Sequence, residues 1–298
     1  MSRTERPLLV TGAGGLVGGT VLLVAERSGT RAAGTHRVAL PPDGVESHAL
    51  DLLDEDATQR LLDELEPWGL IHCAAAADTG ACEDHPEWAR KLNAELPARL
   101  AALASEAGVR FVFLSTDLVF DGRRGGYAES DSPRPISVYG RTKLSGEQGV
   151  LDREPLALVV RTSIQYGGTV PGKQRQDLLI RAAIEAGSYT GYVDEFRSPI
   201  HCEDLAASLL ELARGSLSGI LHVAGPSRVS RYDFAVALAR VLGLPDERVV
   251  PGQLAEFTGR PARAPDTSLD TKLARELLKT RILGLDEGLA LLGAQAER

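Results

Sequence analysis

Up to about residue 161 the chain alternates short apolar or β-branched runs with longer helical patterns, the signature of βαβ units joined into a parallel sheet. Candidate strands are Leu8–Thr11, Arg37–Leu40, Ser47–Leu50, Gly69–His72, Arg110–Ser115 and Leu156–Arg161, and the intervening segments 16–27, 54–65, 86–107 and 139–151 read as helices. The stretch Asp121–Ser137, rich in Gly, Pro, Asp and Ser, reads as a long loop before the last of these helices. Beyond residue 163 the alternation weakens. Helices are expected at 174–186, 203–214, 230–242, 270–279 and 285–293, with a strand at 219–224. The expected class is α/β, a doubly wound parallel sheet over 1–163 followed by a smaller region, 164–298, of which 200–224 returns to the sheet.

The first strand runs directly into Gly12-Ala13-Gly14-Gly15-Leu16-Val17-Gly18, and a helical apolar pattern follows. Glycines there allow a tight turn, backbone approach to a pyrophosphate and close helix–strand packing, and the free N–H groups of the next helix receive the phosphates. The sheet is therefore expected to be of Rossmann type, with a dinucleotide on Gly12, Gly14, Gly15 and Gly18. A plain strand–helix turn is the alternative. After the second strand stands Gly34-Thr35-His36-Arg37 with no carboxylate. A ribose 2′-hydroxyl calls for an acidic residue at that place and a 2′-phosphate for Arg. NADPH is therefore favoured over NADH, with Arg37, helped by His36 or Thr35, near the phosphate. The alternative is a solvated strand-end charge. Asp51 suits either the adenine amino group or the cap of the helix near residue 54.

Tyr139 and Lys143 lie four apart on a predicted helix and so project from one face. A free tyrosine, with a pKa near ~10, is a poor acid/base at neutral pH, and a neighbouring ammonium lowers that value toward a useful range. Phe113-Leu114-Ser115-Thr116-Asp117 places hydroxyls at the carboxyl edge of the sheet, where ligands of open α/β folds bind. Thr116, with Ser115 as its competitor, is positioned to hydrogen-bond a carbonyl that receives hydride. Their alternative roles are a surface helical pair and strand-end turn chemistry.

These motifs, with His72-Cys73-Ala74-Ala75, Leu92-Asn93-Ala94, Ser115-Thr116-Asp117-Leu118-Val119-Phe120-Asp121-Gly122, Tyr139-Gly140-Arg141-Thr142-Lys143, Gly146-Glu147, Val160-Arg161-Thr162-Ser163, Ser198-Pro199, Asp204-Leu205-Ala206 and His222-Val223-Ala224-Gly225, resemble the extended short-chain dehydrogenase/reductases, in particular the dTDP-4-dehydrorhamnose reductase-like branch of sugar-nucleotide reductases. The resemblance covers nearly the whole chain. It implies Thr116, Tyr139 and Lys143 as the catalytic set, and a cofactor cradle that adds Leu16, Val17, Leu52, Ala74, Ala75, Ala76, Asn93, Ser115 and Thr162. Asn93 reads equally as a buried structural hydrogen bond. On the substrate side the resemblance points to Asp117, Leu118 and Ile164. This chain departs from the family pattern there, with Ala76-Ala77 for Tyr-Thr, Leu118 for Tyr and Ile164 for an aromatic, so a more apolar or roomier pocket is expected. Arg197 and Arg260 are candidates for phosphate contacts because guanidinium suits bidentate phosphate binding, with a solvated surface role as the alternative.

The formal charge of −8 argues against a broad nucleic-acid or membrane surface. No apolar run approaches the ~20 residues of a membrane helix, and no signal-like segment precedes the first strand. Cys73, Cys82 and Cys202 lack metal-ligand spacing, so no metal is expected and a cytoplasmic location with reduced thiols is. The expected protein is an NAD(P)H-dependent ketone reductase acting on a nucleotide-linked 4-keto-6-deoxy sugar, as a monomer or homodimer. A non-catalytic dinucleotide-binding regulatory subunit and an epimerase or dehydratase are the competing functions.

Overall fold

Seven parallel strands form the central sheet of the computed structural model, which describes residues 6–168, 170 and 176–296. In chain order the elements of the first half are β1 (Leu8–Thr11), α1 (Leu16–Arg27), β2 (Ala32–His36), β3 (Glu46–Ala49), α2 (Glu55–Leu65), β4 (Gly69–His72), α3 (Thr79–Asp84), α4 (Pro86–Arg90), α5 (Leu96–Glu106), β5 (Arg110–Thr116), α6 (Val138–Arg153) and β6 (Leu158–Thr162). After it come β7 (Gln165–Tyr166), α7 (Gln176–Ala186), β8 (Tyr189–Tyr192), β9 (Phe196–Arg197), β10 (Ile200–His201), α8 (Cys202–Arg214), β11 (Gly219–His222), β12 (Val229–Ser230), α9 (Arg231–Val241), β13 (Val249–Gly252), α10 (Lys272–Leu277) and α11 (Leu285–Ala296). Positions 174 and 175, where the sequence places the start of a helix, lie outside the described residues, as does the stretch before Arg6.

The sheet order is β11-β6-β5-β4-β1-β2-β3. The order reverses at β1 and β4, so a crevice opens between their carboxyl ends. The inner strands are covered on both faces, which is why β1, β4 and β6 are buried along their length rather than alternating, whereas the edge strand β3 has no buried residue. One core packs α1 and α8 on the sheet through Val21, Leu22, Leu205 and Leu209; the other packs α2, α5 and α6 on the opposite face through Leu62, Leu100, Phe113 and Val150.

Two expectations are corrected. The second strand is Ala32–His36, not Arg37–Leu40, and Val38 and Leu40 are 80% and 71% exposed. A Cβ on Gly34 would lie 2.5 Å from the Ala13 methyl, so this strand is selected by the close approach of the glycine loop and α1 rather than by β-branched residues. The predicted helix 86–107 is interrupted by a π-turn at Lys91–Glu95. Pro97 has no N–H for the Asn93 carbonyl one turn earlier, and the ladder shifts so that the Leu96 N–H reaches the Lys91 carbonyl.

Past β6 the chain leaves the sheet and builds a cap. Three small sheets, β7 with β10, β8 with β13 and β9 with β12, surround a third core of Tyr166, Ile180, Phe234, Leu238 and Leu289. These short pairs, one of them built on Tyr-Thr-Gly-Tyr and Val-Val-Pro-Gly, carry no periodic signal and were not expected from sequence. The chain re-enters the sheet at β11, whose four residues pair in parallel with β6. No helix among the described residues is long and apolar enough to cross a membrane.

Candidate active site

The crevice at the carboxyl ends of the strands is a cleft of about 930 Å³. Its floor is the glycine loop. Gly12 has φ +73°, and a Cβ there would stand 2.8 Å from the Ala74 backbone nitrogen; one on Gly18 would stand 2.3 Å from the Gly12 carbonyl oxygen. At Gly14 it would lie 1.9 Å from the Ala39 carbonyl oxygen. Side chains are thus excluded where a pyrophosphate must approach backbone. α1 starts at Gly15 with no side-chain cap, which leaves its first-turn N–H groups to the cleft. The opposite lip is held by buried His72, whose Nδ1 pairs with Thr11 Oγ1 at 2.7 Å, while Thr11 Oγ1 accepts the Ala74 N–H. Burial pushes His72 down to about 3, with Lys143 adding to the effect, so the imidazole is neutral. These features fit a dinucleotide pyrophosphate.

At the end of β2, Thr35, His36 and Arg37 line the cleft, and Thr35 Oγ1 and His36 Nδ1 are buried with no hydrogen-bond partner among the described residues. Arg37 stands 3.8 Å from Asp51, both side chains about half exposed. Asp51 does not cap α2. That role falls to Asp54, which accepts the Ala57 N–H at 2.9 Å, while Asp51 accepts the N–H of Leu53.

The other end of the cleft is set by α6. Ser137 caps it by accepting the Gly140 N–H, and Glu83 accepts the Val138 N–H at 2.7 Å. Close docking of the helix on the sheet needs small residues. A Cβ on Gly140 would be 2.2 Å from the Leu118 carbonyl oxygen, and one on Gly146 2.1 Å from that of Asn93. Tyr139 and Lys143 then face the carboxyl end of β5. Thr116 lines the cleft beside the Tyr139 phenol, its hydroxyl donating to Asp117 Oδ1 at 3.2 Å, and Lys143 Nζ donates to the Leu114 carbonyl at 2.7 Å over the Phe113 ring.

Burial dominates both titrations. It holds Tyr139 above the ordinary phenol range, opposed by the neighbouring Thr116 hydroxyl and reinforced by Asp117 and Cys82. Lys143 is pushed down to about 7 by burial, against the attraction of Glu147 and Cys73. The expectation that the ammonium lowers the tyrosine value is therefore corrected. Desolvation wins, and the phenol is held as a neutral acid. One turn past Lys143, Glu147 is buried and accepts Arg161 Nη2 at 2.7 Å and Nε at 3.0 Å, together with the Ser115 hydroxyl. This knot ties α6 to β5 and β6 directly beneath the site.

Most sequence-predicted residues come together in the lining: Gly12, Gly14, Gly15, Leu16, Val17, Gly18, Arg37, Asp51, Leu52, Ala74, Ala75, Ser115, Thr116, Asp117, Leu118, Tyr139, Lys143, Thr162 and Ile164. Four do not line the cleft. Ala76 is buried behind it, and Asn93 clasps Ala76 there, its Oδ1 accepting the Ala76 N–H at 2.9 Å and its Nδ2 donating to the Ala76 carbonyl at 3.1 Å. Arg197 is buried and committed, donating to Glu195 at 2.7 Å and to the Phe196 and Ala264 carbonyls. Arg260 is exposed on the loop after β13. Asp117 reaches the wall with its carboxylate already engaged by Ser163 and Thr267, each at 2.8 Å, and by Thr116 at 3.2 Å. Ala77, read from sequence as a departure on the substrate side, lines the cleft, whereas Asp78, Thr79, Trp88, Gln165, Gln176 and Leu179 were not named as lining residues. Those from the cap reach the cleft only through its tertiary fold. For Arg197 a signal existed: Glu195 two residues earlier points to the same side of an extended segment.

A glycine-floored crevice at the switch point of a parallel sheet, with a Thr-Tyr-Lys set of buried Thr116 and Lys143 and half-buried Tyr139 at its far end, defines an NAD(P)-dependent oxidoreductase whose cofactor is a nicotinamide dinucleotide. Residues 6–295 match the RmlD substrate binding domain family, and the chain belongs to that branch of the extended short-chain dehydrogenase/reductases. It is 34% identical over 293 residues to the probable low-salt glycan biosynthesis reductase Agl14 of Haloferax volcanii, covering 96% of each chain. It is 36% identical over 281 residues to the dTDP-4-dehydrorhamnose reductase of Mycobacterium tuberculosis, covering 92% of this chain and 86% of that one. Methionine adenosyltransferase 2 subunit beta of Bos taurus is 30% identical over 255 residues, 83% of this chain and 75% of the relative. Among solved structures, dTDP-4-dehydrorhamnose reductase of Bacillus anthracis in complex with NADP superposes with a TM-score of 0.83 at 25% identity, over 98% of this chain and 99% of that one. MoeE5 in complex with UDP-glucose and NAD gives 0.79 at 27%, over 98% and 99%.

Proposed function

We propose that this protein reduces the ketone of a nucleotide-linked 4-keto-6-deoxy sugar with NADPH. The observation that carries the reading is the meeting of Thr116, Tyr139 and Lys143 in the lining at the far end of the glycine-floored cleft. The bound cofactor supplies hydride to the carbonyl carbon. Tyr139, kept neutral by burial, donates its proton to the carbonyl oxygen as charge develops there. Thr116 orients that oxygen by a hydrogen bond. Lys143, fixed by the Leu114 carbonyl, places an ammonium beside the phenolate left behind. Arg37, His36 and Thr35 form a donor-rich corner that suits a 2′-phosphate and favours NADPH. The reductase names of two relatives and the NADP complex of a structural neighbour support the same direction.

The similarity to methionine adenosyltransferase 2 subunit beta favours a second reading, a dinucleotide-binding subunit without chemistry. The intact Thr116, Tyr139 and Lys143 set weighs against it, since binding alone requires no acid. Oxidation of NADPH against a panel of nucleotide-linked keto sugars decides between them. Tyr139→Phe is expected to lower turnover about 10²- to 10⁴-fold while NADPH affinity, followed by fluorescence, is unchanged. Wild-type turnover in that variant removes Tyr139 from the chemistry, and tight NADPH binding without turnover on any keto sugar favours the subunit.

A further inference from the structure

Behind the substrate end of the cleft the first turn of α9 buries Arg231 against α7 and β8, leaving it 6% exposed. Its Nη2 donates to the Gln176 side-chain oxygen and, at 3.3 Å, to the Tyr189 hydroxyl, while Nε and Nη1 are buried with no hydrogen-bond partner among the described residues. The surrounding carboxylates are committed elsewhere. Glu195 takes Arg197 at 2.7 Å and Arg263 at 2.8 and 2.9 Å. Asp117 holds Ser163 and Thr267 and lies 3.9 Å from Arg197, and Asp233 is held by Ser230. Of the three arginines gathered here, Arg197, Arg231 and Arg263, only Arg231 makes no ion pair with a described residue. A buried guanidinium without a counter-charge is strongly disfavoured unless an anion completes it. Gln176 lines the cleft, so one amide group separates the guanidinium from the bound substrate. Elsewhere in the described lining the arginine and lysine side chains are Arg37, at the adenosine end, and Lys143, which is held by the Leu114 carbonyl and brought down to about 7 by burial.

We propose that Arg231, reached past the Gln176 side chain, is the cation that receives the diphosphate of the nucleotide-linked substrate. This rests on the nucleotide-sugar reading above. Nε and Nη1 lie on opposite edges of the guanidinium, so each edge offers a phosphate one unsatisfied donor, and displacement of Gln176 from Nη2 completes a bidentate fork. Arg231 thereby takes the role that sequence reasoning offered to Arg197 and Arg260.

The test titrates the NADPH complex with dTDP, UDP, GDP and inorganic pyrophosphate by calorimetry. At least one nucleoside diphosphate should bind the wild type. Arg231→Met should weaken it about 30-fold or more, a loss of about 2 kcal/mol, and Arg231→Lys should weaken it less, both with NADPH affinity intact. Gln176→Glu supplies the missing counter-charge without changing side-chain size, so it should raise Tm and weaken diphosphate binding about tenfold. A purely structural Arg231 predicts the rise in Tm with no change in affinity. Wild-type diphosphate affinity in Gln176→Glu together with either Arg231 variant overturns the proposal, as does failure of all four ligands to bind the wild type. Turnover is scored separately: reduction of a keto-sugar nucleotide with unchanged diphosphate binding in the Arg231 variants sinks this inference and leaves the reductase standing. Diphosphate binding through Arg231 without turnover does the reverse.

Discussion

At the residue scale the chemistry turns on which side chains are allowed to carry charge. The Lys143 ammonium, ordinarily titrating at 10.5, is brought down to about 7 because burial strips its water. Between those values the unfolded chain holds a proton that the folded one has released, so the contribution of Lys143 to stability rises with pH across that window. Glu147 opposes the shift. Removing its charge in Glu147→Gln therefore lowers the Lys143 value further, and the alkaline fall of turnover should move to lower pH; an unmoved pH profile of kcat would show that Glu147 does not tune the lysine. The same logic governs the adenosine corner, where Asp51 at 3.8 Å competes with a phosphate for Arg37. Arg37→Ala should weaken NADPH by about 10- to 100-fold and leave NADH unaffected, whereas Asp51→Asn should tighten NADPH. Equal losses for both cofactors in Arg37→Ala would return Arg37 to the solvent.

At the element scale α6 does more than present Tyr139 and Lys143. Its buried face runs Gly140, Lys143, Gly146, Glu147 and Val150, spaced by three or four residues, and mixes apolar packing with close backbone contact and a buried ion pair. Arg161→Met leaves Glu147 buried with only the Ser115 hydroxyl for company and should lower unfolding free energy by about 3–5 kcal/mol, measured in urea. Gly146→Ala presses a methyl toward the Asn93 carbonyl and should cost about 1–3 kcal/mol. The helix itself was legible from sequence because its signals are local: a four-residue spacing and a long loop before it. The π-turn facing it was not, although Pro97 marks the place, because a proline in a helical pattern states that a bond is lost without stating how the ladder is repaired. β2 was misplaced for the converse reason. Val38 looks like strand, but Ala32–His36 wins through contacts with Leu8–Thr11 and Ala13 that lie more than fifteen residues away.

At the scale of the whole molecule, the cofactor half of the cleft was readable because each of its parts sits in one short run after one strand. The substrate half was not. Gln165 and Gln176 reach it from the cap, with Arg231 behind Gln176, and only the fold of that cap decides whether an arginine stands one amide from the cleft, as Arg231 does, or against a neighbouring glutamate, as Arg197 does. The topology also carries a consequence for how the chain is made. β6 has all five residues buried, yet its outer edge is covered only by β11, which is separated from it by the entire cap segment from α7 to α8. On the ribosome the first six strands emerge with that edge bare, and it stays bare until residues 219–222 arrive. A chain stopped after residue 163 should therefore aggregate through its unpaired β6 edge, whereas one ending after β11 should expose less of it, a difference visible in their soluble yields. For some fifty residues of synthesis the nascent protein holds a nearly finished nucleotide cradle beside an adhesive seam, and that interval is when it most needs a chaperone.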